Sequence, residues 1–164
     1  MKKTKTIKLE TYQKKIQRLK DSADRKEKRL KKRIELQKSK AKQSSKSYLK
    51  KTLWKLVSKW VRTHEDHCYT CRKFLPWKKR TAGHFWTQGG HQRTRFELMN
   101  VHTQCVSCNS FNSGNLAPYA IRLIEDYGAT AFQALHRRAN DSTPWEKPEL
   151  EEQIKEYKSK LSNL

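Results

Sequence analysis

All four cysteines of the chain fall in two Cys-x-x-Cys pairs, Cys68-Tyr-Thr-Cys71 and Cys105-Val-Ser-Cys108, with 33 residues between the pairs. Two such hooks supply the four thiolates of a closed tetrahedral Zn²⁺ site, so the spacing predicts structural zinc on Cys68, Cys71, Cys105 and Cys108. A closed four-thiolate site leaves no open position for water, so this metal holds the fold and does no chemistry. The interval is longer than a minimal zinc ribbon needs, which leaves room for an active site between the hooks. A staple also compensates for a small core. That matters here, because the chain has 164 residues of which 34% are apolar and 33% charged.

The formal net charge is +22, and residues 1–62 alone carry 24 basic against 5 acidic side chains. A small domain with a strongly cationic arm predicts a polyanionic partner, with nucleic acid foremost and an anionic membrane surface as the alternative. Sparse apolar content opposite the arm's lysines argues against the membrane. No apolar run is long enough for a transmembrane helix, and no signal-peptide core follows Met1. The expected location is therefore the cytoplasm, where thiols stay reduced and cysteines bind metal rather than each other.

The expected architecture is α+β. A basic helical or partly disordered arm spans 1–46, and a zinc-stapled domain spans 47–164. Residues 1–46 contain no Gly or Pro, and Leu9, Tyr12, Ile16, Leu19 and Ala23 form one apolar stripe. Ser47 is the expected cap of an amphipathic helix over 47–62, with Leu49, Leu53, Trp54, Val57, Trp60 and Val61 on its apolar face. Lys50, Lys51, Lys55 and Lys59 occupy the other face, turned to solvent or DNA. In the core region, 68–115, Arg72–Trp77 reads as a short strand or turn and Thr81–Trp86 as the second strand of a hairpin, with Lys78-Lys79-Arg80 as the basic turn between them. A helix is expected to start at or just after Cys105. Three scaffold helices follow in 116–164. Asn115 caps the first, whose buried face is Ala120, Ile121, Leu123, Ile124 and Tyr127. Phe132 and Leu135 face inward on the second. A capping box at Thr143–Glu146 opens the third, with Leu150, Ile154, Tyr157 and Leu161 inward.

Among six histidines, His84 has a distinctive frame. It sits between the hooks, follows Gly83 on an expected strand, and precedes Gly89-Gly90, a loop that a side chain would obstruct. Phosphodiester hydrolysis needs a base that works near pH 7 and a divalent cation to stabilise developing charge. Such hard cations take oxygen ligands. Lys78, Lys79 and Arg80 are expected to contact phosphates. For Arg93 and Arg95, phosphate clamping and simple solubility are both open. No element is obviously suited to reading base edges, so recognition by structure is expected rather than by sequence.

The order Cys-x-x-Cys, Gly83-His84, Gly89-Gly90, Asn100 and Cys105-x-x-Cys108-Asn109 resembles the HNH endonuclease motif, whose ββα-metal finger is a hairpin followed by a helix. Ala82-Gly-His-Phe85, Arg95-Phe-Glu97, Asn100-Val-His-Thr-Gln-Cys105 and Ser113-Gly-Asn-Leu116 more closely resemble the phage NinG/Rap recombination proteins. The resemblance runs from about Ser47 to the C-terminus. It implies a treble-clef-like, zinc-stapled core and a phage-encoded endonuclease working in a bacterial host cell on branched DNA such as D-loops and Holliday junctions. It casts His84 as general base, Asn100 as the residue pinning the loop, and Asn109 as ligand to a catalytic Mg²⁺ or Mn²⁺. Gly83 stands where many HNH enzymes carry a second metal-binding Asp; the expected substitute is an oxygen of Glu97 or of water, or a nitrogen of His102. Resolution of a four-way junction favours a homodimer. The competing expectation is a non-catalytic zinc-finger module that binds nucleic acid.

Overall fold

A computed structural model describes residues 2–163, and these fall into two units that divide between Ser44 and Ser45. The first unit is one helix, α1 (Lys2–Gln43). Its sequence has neither Gly nor Pro and is rich in Lys, Arg and Gln, all favourable in helices. Ile16 and Leu19 of the apolar stripe are more than half exposed, while the side chains of Leu9 and Tyr12 lie outside those described. No helix among the described residues is long and apolar enough to cross a membrane.

The second unit is α+β: helices around one two-stranded sheet. Its first helix, α2 (Lys46–His64), is capped by Ser45, whose hydroxyl accepts the Tyr48 N–H at 3.2 Å. Ser47, the expected cap, lies inside the helix. Leu49, Leu53, Val57 and Val61 repeat every four residues and are buried. They pack with Phe96, Val101, Leu150, Ile154 and Tyr157 into the largest apolar core among the described residues, flanked by Trp54 and Trp60. Each buried aliphatic side chain there contributes roughly 1.5–3 kcal/mol through removal from water.

The sheet corrects the expected hairpin. Strand β1 (Thr81–His84) pairs antiparallel with β2 (Val101–Gln104), in the register Thr81↔Gln104, Ala82↔Thr103, Gly83↔His102 and His84↔Val101. Residues 72–77 form no strand; Phe74 alone bridges back to His67. The reason is the first cysteine knuckle. Arg72 adopts a left-handed φ of 64°, the Cys68 N–H donates to the Lys73 carbonyl at 2.8 Å, and the chain doubles back at once. Pro76 has no N–H to donate to a ladder. A tight 3₁₀ turn, Trp77–Lys79, then leads into β1. After β2 and Cys105 the chain enters a π-type turn, Ser107–Phe111, that carries Cys108 of the second knuckle.

Three helices complete the unit: α3 (Leu116–Tyr127), α4 (Ala129–Ala139) and α5 (Lys147–Ser162). Gly128, at φ 84°, joins the first two with a conformation that side chains disfavour. The buried face of α3 differs from expectation: Tyr119 and Leu123 are fully buried, whereas Ile121 and Ile124 are 59% and 42% exposed. Both stripes are compatible with helical spacing. The structure selects the one that places the Tyr119 ring in the second core, with Tyr69, Phe85 and Leu135. On α5 the capping box is Glu146 with Glu149, not Thr143 with Glu146. Leu150, Ile154 and Tyr157 are buried as the spacing predicts, and α5 packs on α2.

Candidate functional site

The two knuckles bring Cys68, Cys71, Cys105 and Cys108 together, with all four sulfurs within 4.8 Å of one another. The Cys71 and Cys105 sulfurs lie 3.9 Å apart. A tetrahedron with Zn–S bonds of ~2.3 Å has edges of ~3.8 Å, so the set fits zinc closely. Burial raises the Cys68 thiol, but backbone N–H groups of Cys71 and Cys105 and the Thr70 hydroxyl outweigh it and bring the thiol down to about 6. Burial pushes Cys105 up, with the neighbouring sulfurs adding to the rise. Four thiolates at this spacing need a cation between them, and these cysteines can hold a metal such as zinc.

Beside this cluster, β1 presents His84 on one face and Gly83 on the other, because side chains alternate along a strand. His84 is half-buried against Trp54 of α2. Its Nε2 lies 3.0 Å from the Arg95 carbonyl. A carbonyl only accepts, so Nε2 carries the proton and Nδ1 keeps its lone pair. Burial holds the imidazole below its ordinary value of 6.5, outweighing the carbonyl bond that favours the charged form; the Arg95 charge adds to the lowering. Near neutral pH the ring is an uncharged base in a set orientation.

The loop between β1 and β2 is held by Asn100, which is fully buried. Its side chain accepts the Trp86 N–H at 2.7 Å and donates to the Trp86 and Thr94 carbonyls, each at 3.0 Å. This fastens the segment that carries Arg95, and with it the carbonyl that holds His84. Asn109, on the π-type turn, reaches the Gly83 face of the sheet. Its Nδ2 donates to the Thr81 hydroxyl at 3.2 Å.

The two side chains expected to replace a carboxylate at position 83 are engaged elsewhere. His102 shares the Gly83 face, opposite to that of His84. It is buried, stacked on Tyr69 at 3.7 Å, with its Nδ1 donating to the Glu65 carboxylate at 2.7 Å. Glu97 accepts a two-pronged bond from Arg138.

The basic residues divide. Lys51, Lys55, Lys78 and Lys79 are exposed, and Lys50 donates to the Gln92 side chain at 3.2 Å. Lys78 and Lys79 sit on the 3₁₀ turn, not at the tip of a hairpin. Arg80 is structural: it donates to the Leu75 and Arg62 carbonyls. Arg93 lies over the Trp145 ring and pairs with Glu149 at 3.1 Å. Arg95 is half-buried, and its Nε is enclosed without a hydrogen-bond partner among the described residues. The sequence marks Trp54 as a core residue and gives Gln104 no role beyond its place in the Asn100–Cys105 motif. A further role for the first needs the packing of α2 on β1 to be known, and for the second the strand register.

The sequence matches the family described as Bacteriophage Lambda NinG protein over residues 1–164. A protein named "Protein ninG" from Salmonella phage P22 is 38% identical over 86 residues, covering 51% of this chain and 40% of that protein. Its namesake from Escherichia phage lambda is 37% identical over 83 residues, with the same shares covered. The matched stretch thus spans about two-fifths of the length of these relatives. No solved structure matches the chain.

Proposed function

The chain belongs to the NinG family of bacteriophage proteins, and from that starting point we propose that it is a metal-dependent endonuclease acting on branched DNA. One observation carries the reading: His84 is a neutral, oriented imidazole on a strand whose neighbouring turn supplies Asn109. The order strand, loop, strand, helical turn is that of the HNH-type finger the sequence resembles. In this reading His84 takes a proton from the attacking water at Nδ1. The Arg95 guanidinium, whose Nε has no hydrogen-bond partner among the described residues and whose charge acts on His84, attracts the scissile phosphate.

A divalent cation would be held through Asn109, whose Oδ1 accepts no hydrogen bond among the described residues. When bound, it would stabilise charge on the leaving oxygen. Lys51, Lys55, Lys78 and Lys79 provide exposed positive charge for the phosphate backbone, and binding should be steeply salt-dependent. Zinc on the four cysteines keeps the strand and turn in place.

A second reading, a non-catalytic zinc finger that binds nucleic acid, is favoured by one observation: position 83 offers no carboxylate, and Glu97 is bound by Arg138. The deciding experiment incubates the protein and His84→Ala with labelled linear duplex, D-loop and four-way junction in Mg²⁺ or Mn²⁺, with EDTA as control. Cleavage of branched substrates that requires both the cation and His84 supports the nuclease. Salt-sensitive binding without cleavage, equal in both proteins, overturns it in favour of the binding module.

A further inference from the structure

Gly83 faces a space that two side-chain oxygens already occupy. A Cβ built there would overlap Gln104 Oε1 and lie 2.8 Å from Asn109 Oδ1. Gln104 is fully buried, and its Oε1 is enclosed with no hydrogen-bond donor among the described residues. A buried amide oxygen without a donor carries an uncompensated desolvation cost, so its retention calls for an explanation.

The hydrogen bonds around it set its orientation. Gln104 Nε2 donates to the Gly114 carbonyl at 2.7 Å, with Thr70 Oγ1 at 3.4 Å. Flipping the amide would turn Oε1 against the Gly114 carbonyl, oxygen to oxygen. Asn109 is wired in the same sense. The Thr81 hydroxyl donates to the Gln104 carbonyl at 2.7 Å, so its lone pair receives Asn109 Nδ2. Flipping Asn109 would oppose two acceptors. Both amides therefore spend their N–H groups on neighbours and aim their oxygens at one point, the space that a side chain at 83 would fill.

We propose that Gln104 Oε1 and Asn109 Oδ1 are paired ligands for a divalent cation, with Gln104 in place of a carboxylate at position 83. Hard cations such as Mn²⁺ and Mg²⁺ accept neutral carbonyl oxygens, and water completes the shell. Two uncharged ligands bind weakly alone, so a phosphate oxygen of bound DNA is a natural third. Gly83 is then required by space: any side chain displaces the Gln104 oxygen. This rests on Asn109 being a ligand in the nuclease reading, but its test does not depend on cleavage.

The test measures Mn²⁺ binding by electron paramagnetic resonance of the free ion, on zinc-loaded protein at millimolar Mn²⁺, together with the Mn²⁺-induced rise in Tm. The proposal expects one Mn²⁺ per chain with zinc content unchanged. Gln104→Leu and Gly83→Ala should each weaken Mn²⁺ on the order of 10-fold. Asn109→Asp, which adds charge at a half-buried position and needs little repacking, should tighten it by a similar factor. Absence of Mn²⁺ binding in the parent, with none gained in Asn109→Asp, would overturn the proposal and leave ordinary water as the partner of Gln104. So would Mn²⁺ binding indifferent to Asn109→Asp and Gly83→Ala, whether or not Gln104→Leu folds. Mn²⁺ bound as expected with no DNA cut would keep this site and sink the nuclease reading; cutting with unchanged Mn²⁺ dependence in the variants would do the reverse.

Discussion

The indole of Trp54 stacks on the imidazole of His84, with ring centroids 4.6 Å apart and planes inclined by 29°. Together with the Arg95 carbonyl bond, the stack fixes His84 from two directions. Trp54 is thus a positioning residue as well as part of the core. In the nuclease reading, Trp54→Leu should keep zinc binding and the fold while reducing cleavage on the order of 10- to 100-fold, because small displacements of a base are costly. Trp54→Phe, which keeps a stacking face, should recover most of that loss. Equal activity of Trp54→Leu and the parent in single-turnover assays would separate the stack from catalysis.

His84 makes a signed prediction about pH. Its folded-state value lies below the ordinary 6.5, chiefly through burial. On falling pH the unfolded chain binds a proton at this residue before the folded chain does. Stability that is fully present above about pH 6.5 is therefore lost as the pH drops towards the lowered folded value. Urea denaturation between pH 5 and 8 should show this acid loss in the parent and a smaller one in His84→Gln. In the nuclease reading, cleavage should also persist below the ordinary imidazole range, since burial keeps His84 unprotonated there.

Asn100 holds the loop through three buried bonds, to Trp86 N–H and to the Trp86 and Thr94 carbonyls. Asn100→Ala leaves those groups without partners in a dry setting and should cost roughly 3 kcal/mol. Asn100→Asp keeps the acceptor but sets a buried carboxylate oxygen against the Trp86 and Thr94 carbonyls, and should cost at least as much as Asn100→Ala. A urea midpoint for Asn100→Ala within error of the parent would show that water replaces the side chain.

The cysteine cluster predicts coupling between metal and fold. Because Cys68 and Cys108 are buried beside Leu75 in a small satellite core, removing the metal leaves crowded thiols and little apolar packing. A strong chelator should abolish cooperative unfolding of the Ser45–Leu164 unit, and zinc should restore it with release of protons. Calorimetry in buffers of different ionisation enthalpy would count those protons. Unchanged unfolding after complete removal of zinc would show the cysteines to be ordinary core residues.

By itself the sequence determined what depends on nearest neighbours along the chain. The Cys-x-x-Cys spacing marked the four cysteines that can hold a metal, because each knuckle is a local turn. The four-residue repeat of Leu49, Leu53, Val57 and Val61 marked the buried side of α2, because helical periodicity is local too. The absence of Gly and Pro marked α1 as helix. Tertiary structure decided what depends on pairing across distance. Spacing on α3 allowed two stripes, and only the pocket for the Tyr119 ring chose between them. The expected partner for Thr81–His84 was the preceding segment, but the knuckle turns that segment back, and Val101–Gln104 takes its place. That register puts Gln104 across from Thr81, turns its oxygen into the space beside Gly83, and sends His102 to the face away from His84. A one-residue shift in pairing would exchange every one of those faces, and nothing in the local pattern of residues encodes it.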